Sequence, residues 1–351
     1  MKKGQAKHVF PGGNTPKGFY SLYHEGLTGL NRIFILKGGP GVGKSTLMRE
    51  LAELMLDSGY DTELWQCSSD NDSLDGVIVP ALGIGIIDGT APHTVDPRYP
   101  GAVDEIINLG DCWKEEMLTA GKDEIIKLTN NISDLFKNAY EHIAAAGQIY
   151  QAAVTDCGTD VQAQIRSLRA QIFGGNPAAA RHLFSAAITP RGLVSYADSI
   201  SDSCKSRYLL DGNPCAEIAP ILSGIAVEAM DKGYKVELYH NCLAPETLDM
   251  VVIVDKGVAV IDNTLIHKNI IRRESDIIID LQPPLPGINS TTTIAQELEK
   301  PLKEAFNLIM QAKKTHDKLE KYYIDSMDFA AVDKLKAALF QKISSIASKQ
   351  A

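Results

Sequence analysis

The stretch that decides the fold is Ile33-Phe34-Ile35-Leu36-Lys37-Gly38-Gly39-Pro40-Gly41-Val42-Gly43-Lys44-Ser45-Thr46. It begins with an apolar run that is typical of a buried strand, and a helix is expected from Lys44. Between them lies the pattern Gly-x-x-x-x-Gly-Lys-Ser, whose glycines let the backbone curl until its N–H groups point at phosphate oxygens. The N-terminus of the following helix adds the positive end of its dipole. The stretch therefore predicts a strand, a phosphate-binding loop and a helix in succession.

The residues of this motif have predicted roles in holding a nucleoside triphosphate with Mg²⁺. Lys44 is expected to contact the β- and γ-phosphates as a catalytic cation, and the Ser45 hydroxyl is expected to ligate Mg²⁺. The sequence contains no guanine-reading Asn-Lys-x-Asp pattern, so ATP and Mg²⁺ are the expected cofactors. The predicted nucleotide-binding residues are Gly38, Gly39, Pro40, Gly41, Val42, Gly43, Lys44, Ser45 and Thr46.

A P-loop enzyme also needs a carboxylate near Mg²⁺, usually at the end of an apolar strand. Asp88 follows the run Ile84-Gly85-Ile86-Ile87 and is the first candidate, both as a catalytic residue and as a metal ligand acting through water. Asp75 is the second catalytic candidate, although it precedes its predicted strand, Val77-Ile78-Val79. A hairpin turn at Pro80-Ala81-Leu82-Gly83 would bring Asp75 and Asp88 to the same end of a mixed sheet. A structural role for Asp88, as a turn cap, stays equally open.

The chain aligns with itself without a gap over residues 8–93 when it is shifted by 174 positions. Such a register predicts a tandem duplication of an α/β P-loop core, with each copy followed by a long helical hairpin. The predicted copies are residues 1–175, with a hairpin at about 102–173, and residues 176–351, with a hairpin at about 291–349. Matched pairs include His8 and His182, Thr15 and Thr189, Asp75 and Asp249, Asp88 and Asp262, Thr90 and Thr264, and His93 and His267.

The second copy lacks the phosphate-binding residues of the first. Ile218 stands where Lys44 stands, Ala219 stands where Ser45 stands, and the carboxylate of Glu217 would repel phosphate. We therefore expect this copy to be degenerate. An intramolecular pairing of the two copies, in which the degenerate one supplies a second face of the active site, is the predicted role for it.

Further residues leave alternatives open. His93 has an identical counterpart in the degenerate copy, which favours a structural role. In the loop Ser68-Ser69-Asp70-Asn71-Asp72 the acidic residues either position a water molecule or form a solvated surface. Lys37 is expected at the surface. Arg98 and its counterpart Arg272 are either candidates for an arginine finger or ordinary exposed arginines.

Composition narrows the classes of partner. The formal net charge of −9 disfavours nucleic acid, because an acidic chain repels phosphate backbones. No apolar run reaches the roughly 18–20 residues that span a bilayer, and Met1–Lys7 lacks the apolar core of a signal peptide. The six cysteines form no Cys-x-x-Cys pair and are expected to be free thiols. The expectation is a cytoplasmic protein without a membrane partner.

The chain resembles a bacterial family of tandem P-loop ATPases of unassigned physiological role. The resemblance covers nearly the whole length and is carried by His8-Val9-Phe10, Gly38 to Thr46, Asp88 to His93, Arg181 to Phe184 and Leu248 to Val252. It implies ATP binding. Some members have an intact P-loop in the second copy, and this chain departs from them there.

Together these features predict a Mg²⁺-dependent ATP-binding protein that hydrolyses ATP. A kinase acting on a small molecule or nucleotide is one alternative, because the P-loop suits both reactions. A nucleotide-controlled switch that binds a partner through its helices is another. The sequence names neither an acceptor nor a protein partner.

Overall fold

The computed structural model describes residues 2–91, 94–154, 180–281 and 291–350. His93, the predicted boundary near residue 175 and the second arm of the hairpin predicted at 102–173 lie outside these ranges. In the first half of the chain the elements are β1 (Ala6–Val9), β2 (Gly12–Thr15), β3 (Gly18–Ser21), α1 (Tyr23–Gly26), β4 (Arg32–Lys37), α2 (Lys44–Asp57), β5 (Thr62–Gln66), β6 (Leu74–Val79), β7 (Ile84–Asp88), β8 (Asp104–Asn108), α3 (Glu115–Ala120) and α4 (Lys122–Ala153).

The second half repeats this order of elements. It comprises β9 (Ala180–Phe184), β10 (Ala186–Thr189), β11 (Gly192–Ser195), α5 (Ala197–Ile200), β12 (Ser206–Asp211), α6 (Ile218–Asp231), β13 (Val236–Asn241), β14 (Ala244–Ile253), β15 (Val258–Asp262), β16 (Ile277–Asp280), α7 (Thr291–Ser326) and α8 (Phe329–Gln350). The protein is therefore an α/β protein. The bounds of β4 and β12, of β7 and β15, and of α2 and α6 lie 174 residues apart at both ends.

Two six-stranded mixed sheets share one topology. The first has the order β1-β5-β6-β7-β4-β8 and the second the order β9-β13-β14-β15-β12-β16. In the first sheet β6 runs antiparallel to both neighbours, whereas the other pairs are parallel. In the second sheet β14 takes the same position and direction. A third, four-stranded antiparallel sheet has the order β11-β10-β2-β3, in which Ile188 pairs with Asn14.

The hairpin predicted at residues 80–83 is confirmed, and it makes the first sheet mixed. Gly76 pairs with Ile87 across the antiparallel strands, so the next pair outward is Asp75 and Asp88. Both carboxylates therefore belong to the same end of the hairpin, as predicted. The expectation that Asp75 precedes its strand is wrong, because β6 begins at Leu74.

One strand lies within a range where only helices are predicted. Asp104–Asn108 forms β8 inside the predicted hairpin 102–173, and it pairs in parallel with β4. The open edge of β4 has unpaired backbone groups that a strand satisfies better than a helix does. Ile277–Asp280 forms the corresponding strand β16 beside β12, which the sequence reading also missed.

The described chain packs as two compact units that are interleaved along the sequence. The first consists of Met1–Pro11, Leu27–Lys137 and Leu308–Ala351, and the second of Gly12–Gly26 and Asn138–Asn307. These units do not follow the predicted division at residue 175. The cause is hydrophobic packing: Met327, just before α8, and Val332, Leu339 and Ile343 of α8 are buried in the same core as β4, α2 and β6.

The hydrophobic core of the first unit fixes the position of the glycine-rich loop. Helix α2 buries Leu47, Met48, Leu51 and Met55, which recur at helical spacing and so form one apolar face. This face packs against the sheet with Phe34 and Leu36 of β4. The strand and helix are thereby fixed on both sides of residues 38–43. The second unit has its own core, built around α6.

Candidate functional site

The loop Gly38–Gly43 joins the carboxyl end of β4 to the N-terminus of α2. Gly41 and Gly43 have backbone φ angles of +70° and +93°, values that side-chain-bearing residues rarely adopt. Gly43 is the N-cap of α2 and no side chain caps the helix there. The first backbone N–H groups of α2 therefore have no side-chain cap from Gly43, which is the arrangement that favours an anion at a helix N-terminus.

Lys44 is the first residue of α2, and its side chain reaches back into this loop; the residue is 8% exposed. Its Nζ donates hydrogen bonds to the carbonyl oxygens of Gly38, at 2.9 Å, and Gly39, at 2.7 Å. The same atom lies 3.5 Å from Oδ2 of Asp88. The structure therefore brings together the predicted phosphate lysine, at the start of α2, and the first-choice carboxylate, at the end of β7.

Asp88 has a second contact, which is structural. Its Oδ1 accepts a hydrogen bond from the backbone N–H of Thr90 at 2.8 Å, while the Thr90 hydroxyl donates to the Gly38 carbonyl at 3.0 Å. In the second unit the Thr264 N–H donates to Oδ1 of Asp262 at 2.9 Å in the same way. The turn contact is thus common to both halves, whereas the contact with a lysine belongs to Asp88.

Ser45 connects the loop to β6. Its hydroxyl oxygen accepts a hydrogen bond from the backbone N–H of Leu74 at 3.0 Å. The next residue, Asp75, is 4% exposed. Burial raises the pKa of the nearby Cys67 thiol, and the charge of Asp75 raises that pKa further. Asp75 therefore lies in a buried environment beside a thiol that the sequence reading did not single out. Thr46 is exposed on the first turn of α2.

Lys37 is less of a surface residue than expected. Its Nζ donates to the Gly89 carbonyl at 2.8 Å and lies 3.0 Å from Oδ1 of Asp96. These contacts tie the end of β4 to the segment that follows Asp88. Arg98 is exposed and its guanidinium lies over the ring of Tyr99, 5.4 Å from the ring centroid.

Helix α7 packs directly on the glycine-rich loop. A methyl group added to Gly39 would lie 2.4 Å from the Tyr323 ring, and one added to Gly41 would lie 2.9 Å from Ile324 and 3.0 Å from the Glu320 carbonyl oxygen. Tyr323 also contacts Trp113, with ring centroids 6.1 Å apart. Residues from the C-terminal part of the chain therefore form one face of the loop. Sequence reasoning could not find these contacts, because they join positions almost 300 residues apart.

The acidic loop after β5 is ordered by its own side chains. Asp70 accepts from the Asp72 N–H through Oδ1 and from the Ser73 hydroxyl through Oδ2, both at 3.0 Å. Oδ2 of Asp70 also lies 3.3 Å from Nζ of Lys313, on α7. The Asp72 carbonyl accepts from Arg49. Asp70 is thus a paired residue rather than a freely solvated one.

The counterpart of the loop in the second unit has no lysine to offer phosphate. Ile218 is 3% exposed and is part of the hydrophobic core, together with Cys215. Cys215 is in a disulfide, so the expectation of free thiols is wrong at this position. Cys67, Cys112, Cys204 and Cys242 are free. The pattern Gly212-Asn213-Pro214 keeps the loop position without a counterpart of Lys44 or Ser45.

No family model, curated protein or solved structure matches the chain. The resemblance to tandem P-loop ATPases therefore stays a prediction, and function must be inferred from the site. Among the described residues, no helix has the length and apolarity to cross a membrane.

Proposed function

We propose that the protein binds ATP with Mg²⁺ at Gly38–Ser45 and hydrolyses it. The observation that carries this proposal is the position of Lys44, whose ammonium lies within a glycine-rich strand-to-helix loop and 3.5 Å from the Asp88 carboxylate. Such a loop presents backbone donors, a helix N-terminus and a cation to one anion, and a polyphosphate fits this combination.

The residues fit the predicted metal as well. Ser45 offers a hydroxyl oxygen one residue after Lys44, and Asp88 offers a carboxylate across from it. Mg²⁺ prefers oxygen ligands and retains several waters, so one direct ligand and one acting through water suffice. Mg²⁺, when bound, would neutralise charge on the β- and γ-phosphate oxygens.

The residues of the chain would then bind and orient the triphosphate. Lys44 would exchange the neutral carbonyls of Gly38 and Gly39 for charged phosphate oxygens, which form stronger hydrogen bonds. Asp88 would keep its Thr90 contact through Oδ1 and turn Oδ2 towards the metal-bound water. Packing of α7 over Gly39 and Gly41 would limit access of bulk water to the loop.

We also propose that the two halves arose by tandem duplication and that the second copy serves the site of the first. Strands, helices and turns that recur at an offset of 174 residues support the duplication. The contacts of Glu320, Tyr323 and Ile324 with the loop support the second part, because these residues belong to the copy that lost its own lysine.

The same contacts favour one alternative, a nucleotide-controlled switch. A change in the loop conformation on nucleotide binding would move Tyr323 and Glu320 directly, because Gly39 and Gly41 have no side chain between the loop backbone and α7. Slow turnover with a nucleotide-dependent change in α7 would favour the switch over the hydrolase.

Equilibrium binding of ATP to the full chain, with and without Mg²⁺, tests the binding proposal. Lys44→Ala should lower ATP affinity at least about tenfold, the scale of one lost charge-assisted hydrogen bond. Lys318→Ala, at an exposed position of α7, is the matched control and should bind as the wild type does. ATP binding that Lys44→Ala leaves intact would show that the loop is not the site.

A further inference from the structure

One face of α7 lies over both the glycine-rich loop and the acidic loop. Lys313, His316, Asp317 and Glu320 recur at three- and four-residue steps and share this face. At one end Glu320 meets Gly41, and at the other Lys313 meets Asp70. The face therefore extends between two segments that both border the proposed phosphate site.

Lys313 is the lysine of this face. Its Nζ donates to Oδ1 of Asp317 at 2.7 Å and lies 3.3 Å from Oδ2 of Asp70. Burial alone would lower the pKa of Lys313, but the hydrogen bond to Asp317 and the charge of Asp70 raise it. Its side chain is 26% exposed, so the ammonium is a charged group held at a defined place.

The acidic loop connects Lys313 to Ser45 through a series of polar contacts. The Ser73 hydroxyl donates to the same Asp70 oxygen that faces Lys313, and the adjacent Leu74 N–H donates to the Ser45 hydroxyl. In the proposed complex the residues next to the γ-phosphate would be those of the glycine-rich loop near Gly41, together with Ser45, which would hold the metal. Helix α7 connects Lys313 to Gly41 through Glu320, and Asp70 connects Lys313 to Ser45 through Ser73 and Leu74.

We propose that Lys313 is a second phosphate-contacting cation, which α7 supplies to the γ-phosphate of a nucleotide held at Gly38–Ser45. The inference rests on the proposed function and deepens it. Its role would correspond to that of an arginine finger supplied in cis, with the C-terminal half of the chain as the donor.

For Lys313, exchanging Asp317 for a γ-phosphate would be energetically favourable. The Asp317 side chain is 46% exposed, and an ion pair at an exposed carboxylate contributes little free energy. Loss of the Lys313–Asp317 pair, after which water would solvate Asp317, therefore costs little. A γ-phosphate offers the ammonium several strong acceptors in return. The flexible four-carbon stem of lysine allows the shift without movement of the helix.

Affinities for two nucleotides separate this role from a purely structural one. Binding to the full chain is measured with Mg²⁺ and either ADP or the ATP analogue whose β,γ-bridge is an NH group. Lys313→Ala should lower affinity for the analogue about tenfold and leave affinity for ADP within about twofold, because ADP has no γ-phosphate. Lys313→Arg should restore most of the loss, and Lys314→Ala, at the exposed neighbouring position, should change neither affinity.

Other results would overturn the proposal. Equal loss for both nucleotides would mean that Lys313 only ties α7 to Asp70, and unchanged affinity for the analogue would mean that it does not reach the phosphate. A comparable loss of affinity for the analogue in Lys314→Ala would mean that any positive charge on α7 has this effect, which would also contradict the proposal. A wild type that binds neither nucleotide would instead refute the proposed function on which the inference depends.

Discussion

At the scale of single residues, Gly41 combines two constraints that no other residue type satisfies. Its φ of +70° is strained for a residue with a Cβ, and a Cβ would lie 2.9 Å from Ile324 and 3.0 Å from the Glu320 carbonyl oxygen. Gly101 has a similar φ of +77° but no heavy atom within 4 Å of the Cβ position. The pair therefore separates backbone strain from the contact with α7.

Gly41→Ala should cost more stability than Gly101→Ala. We expect Gly101→Ala to lower the free energy of unfolding by about 1 kcal/mol, the strain of a left-handed residue, and Gly41→Ala to lower it by more and to weaken ATP binding. Urea unfolding followed by tryptophan fluorescence measures this, because Trp65 and Trp113 both belong to the first unit. An equal loss of unfolding free energy in the two variants would mean that α7 shifts to accommodate the added methyl group without cost.

Asp88→Asn separates the two roles of Asp88. The amide retains an oxygen for the Thr90 N–H but removes the negative charge that faces Lys44 at 3.5 Å. We expect the melting temperature to change little and Mg²⁺-dependent hydrolysis to fall about 100-fold or more. Hydrolysis at the wild-type rate would leave Asp88 with the turn-capping role that Asp262 has in the second unit.

At the scale of elements, a buried histidine of the second unit contacts strands β11 and β14 and the residue between β9 and β10. Nδ1 of His267 lies 2.8 Å from the hydroxyl of Ser195, and Nε2 lies 3.2 Å from that of Ser185 and 3.3 Å from Oδ2 of Asp249. Burial would lower the pKa of His267, but the charge and hydrogen bond of Asp249, with smaller effects of Asp262 and Asp198, raise it.

This shift predicts a loss of stability at alkaline pH. Because the folded pKa of His267 is raised above 6.5, its contribution is complete below about pH 6.5 and is lost as pH rises through the folded value. The slope cannot exceed about 1.4 kcal/mol per pH unit for one proton. Urea unfolding followed by circular dichroism between about pH 6 and pH 9 measures it. His267→Asn should remove the slope, and an equal slope in the variant would assign it to other groups.

The local elements could be predicted from the sequence, and the long-range contacts could not. The bounds of α2 and the β6–β7 hairpin follow from apolar periodicity and from the turn at residues 80–83, which are local signals. Strand β16 could have been found from the run Ile277-Ile278-Ile279. The packing of Tyr323 on Gly39 has no local signal, because the pattern of an amphipathic helix does not name the surface that it covers.

At the scale of the whole molecule, the sequence copies and the compact units are different divisions of the chain. The core of the first unit contains Met327, Val332, Leu339 and Ile343, all from the second copy. The predicted repeat therefore does not coincide with a compact unit of the structure. The core of the first unit thus contains residues from both halves of the chain.

Residues 1–175 expressed alone should fail to form a stable first unit. Each of the four missing aliphatic side chains stabilises a core by about 1.5–3 kcal/mol, and their sum is comparable to the stability of an ordinary domain. We expect a broad thermal transition in tryptophan fluorescence, and a sharper one when residues 308–351 are supplied as a separate chain. A cooperative transition and full ATP binding by residues 1–175 alone would contradict this.

The most direct test of the central claim is Mg²⁺-dependent release of inorganic phosphate from ATP by the full chain, measured beside Lys44→Ala. We predict release by the wild type, none without Mg²⁺, and a rate reduced at least about 100-fold in the variant, because Lys44 is the cation within the loop. Release by Lys44→Ala at the wild-type rate would contradict the account and would place the chemistry outside Gly38–Ser45.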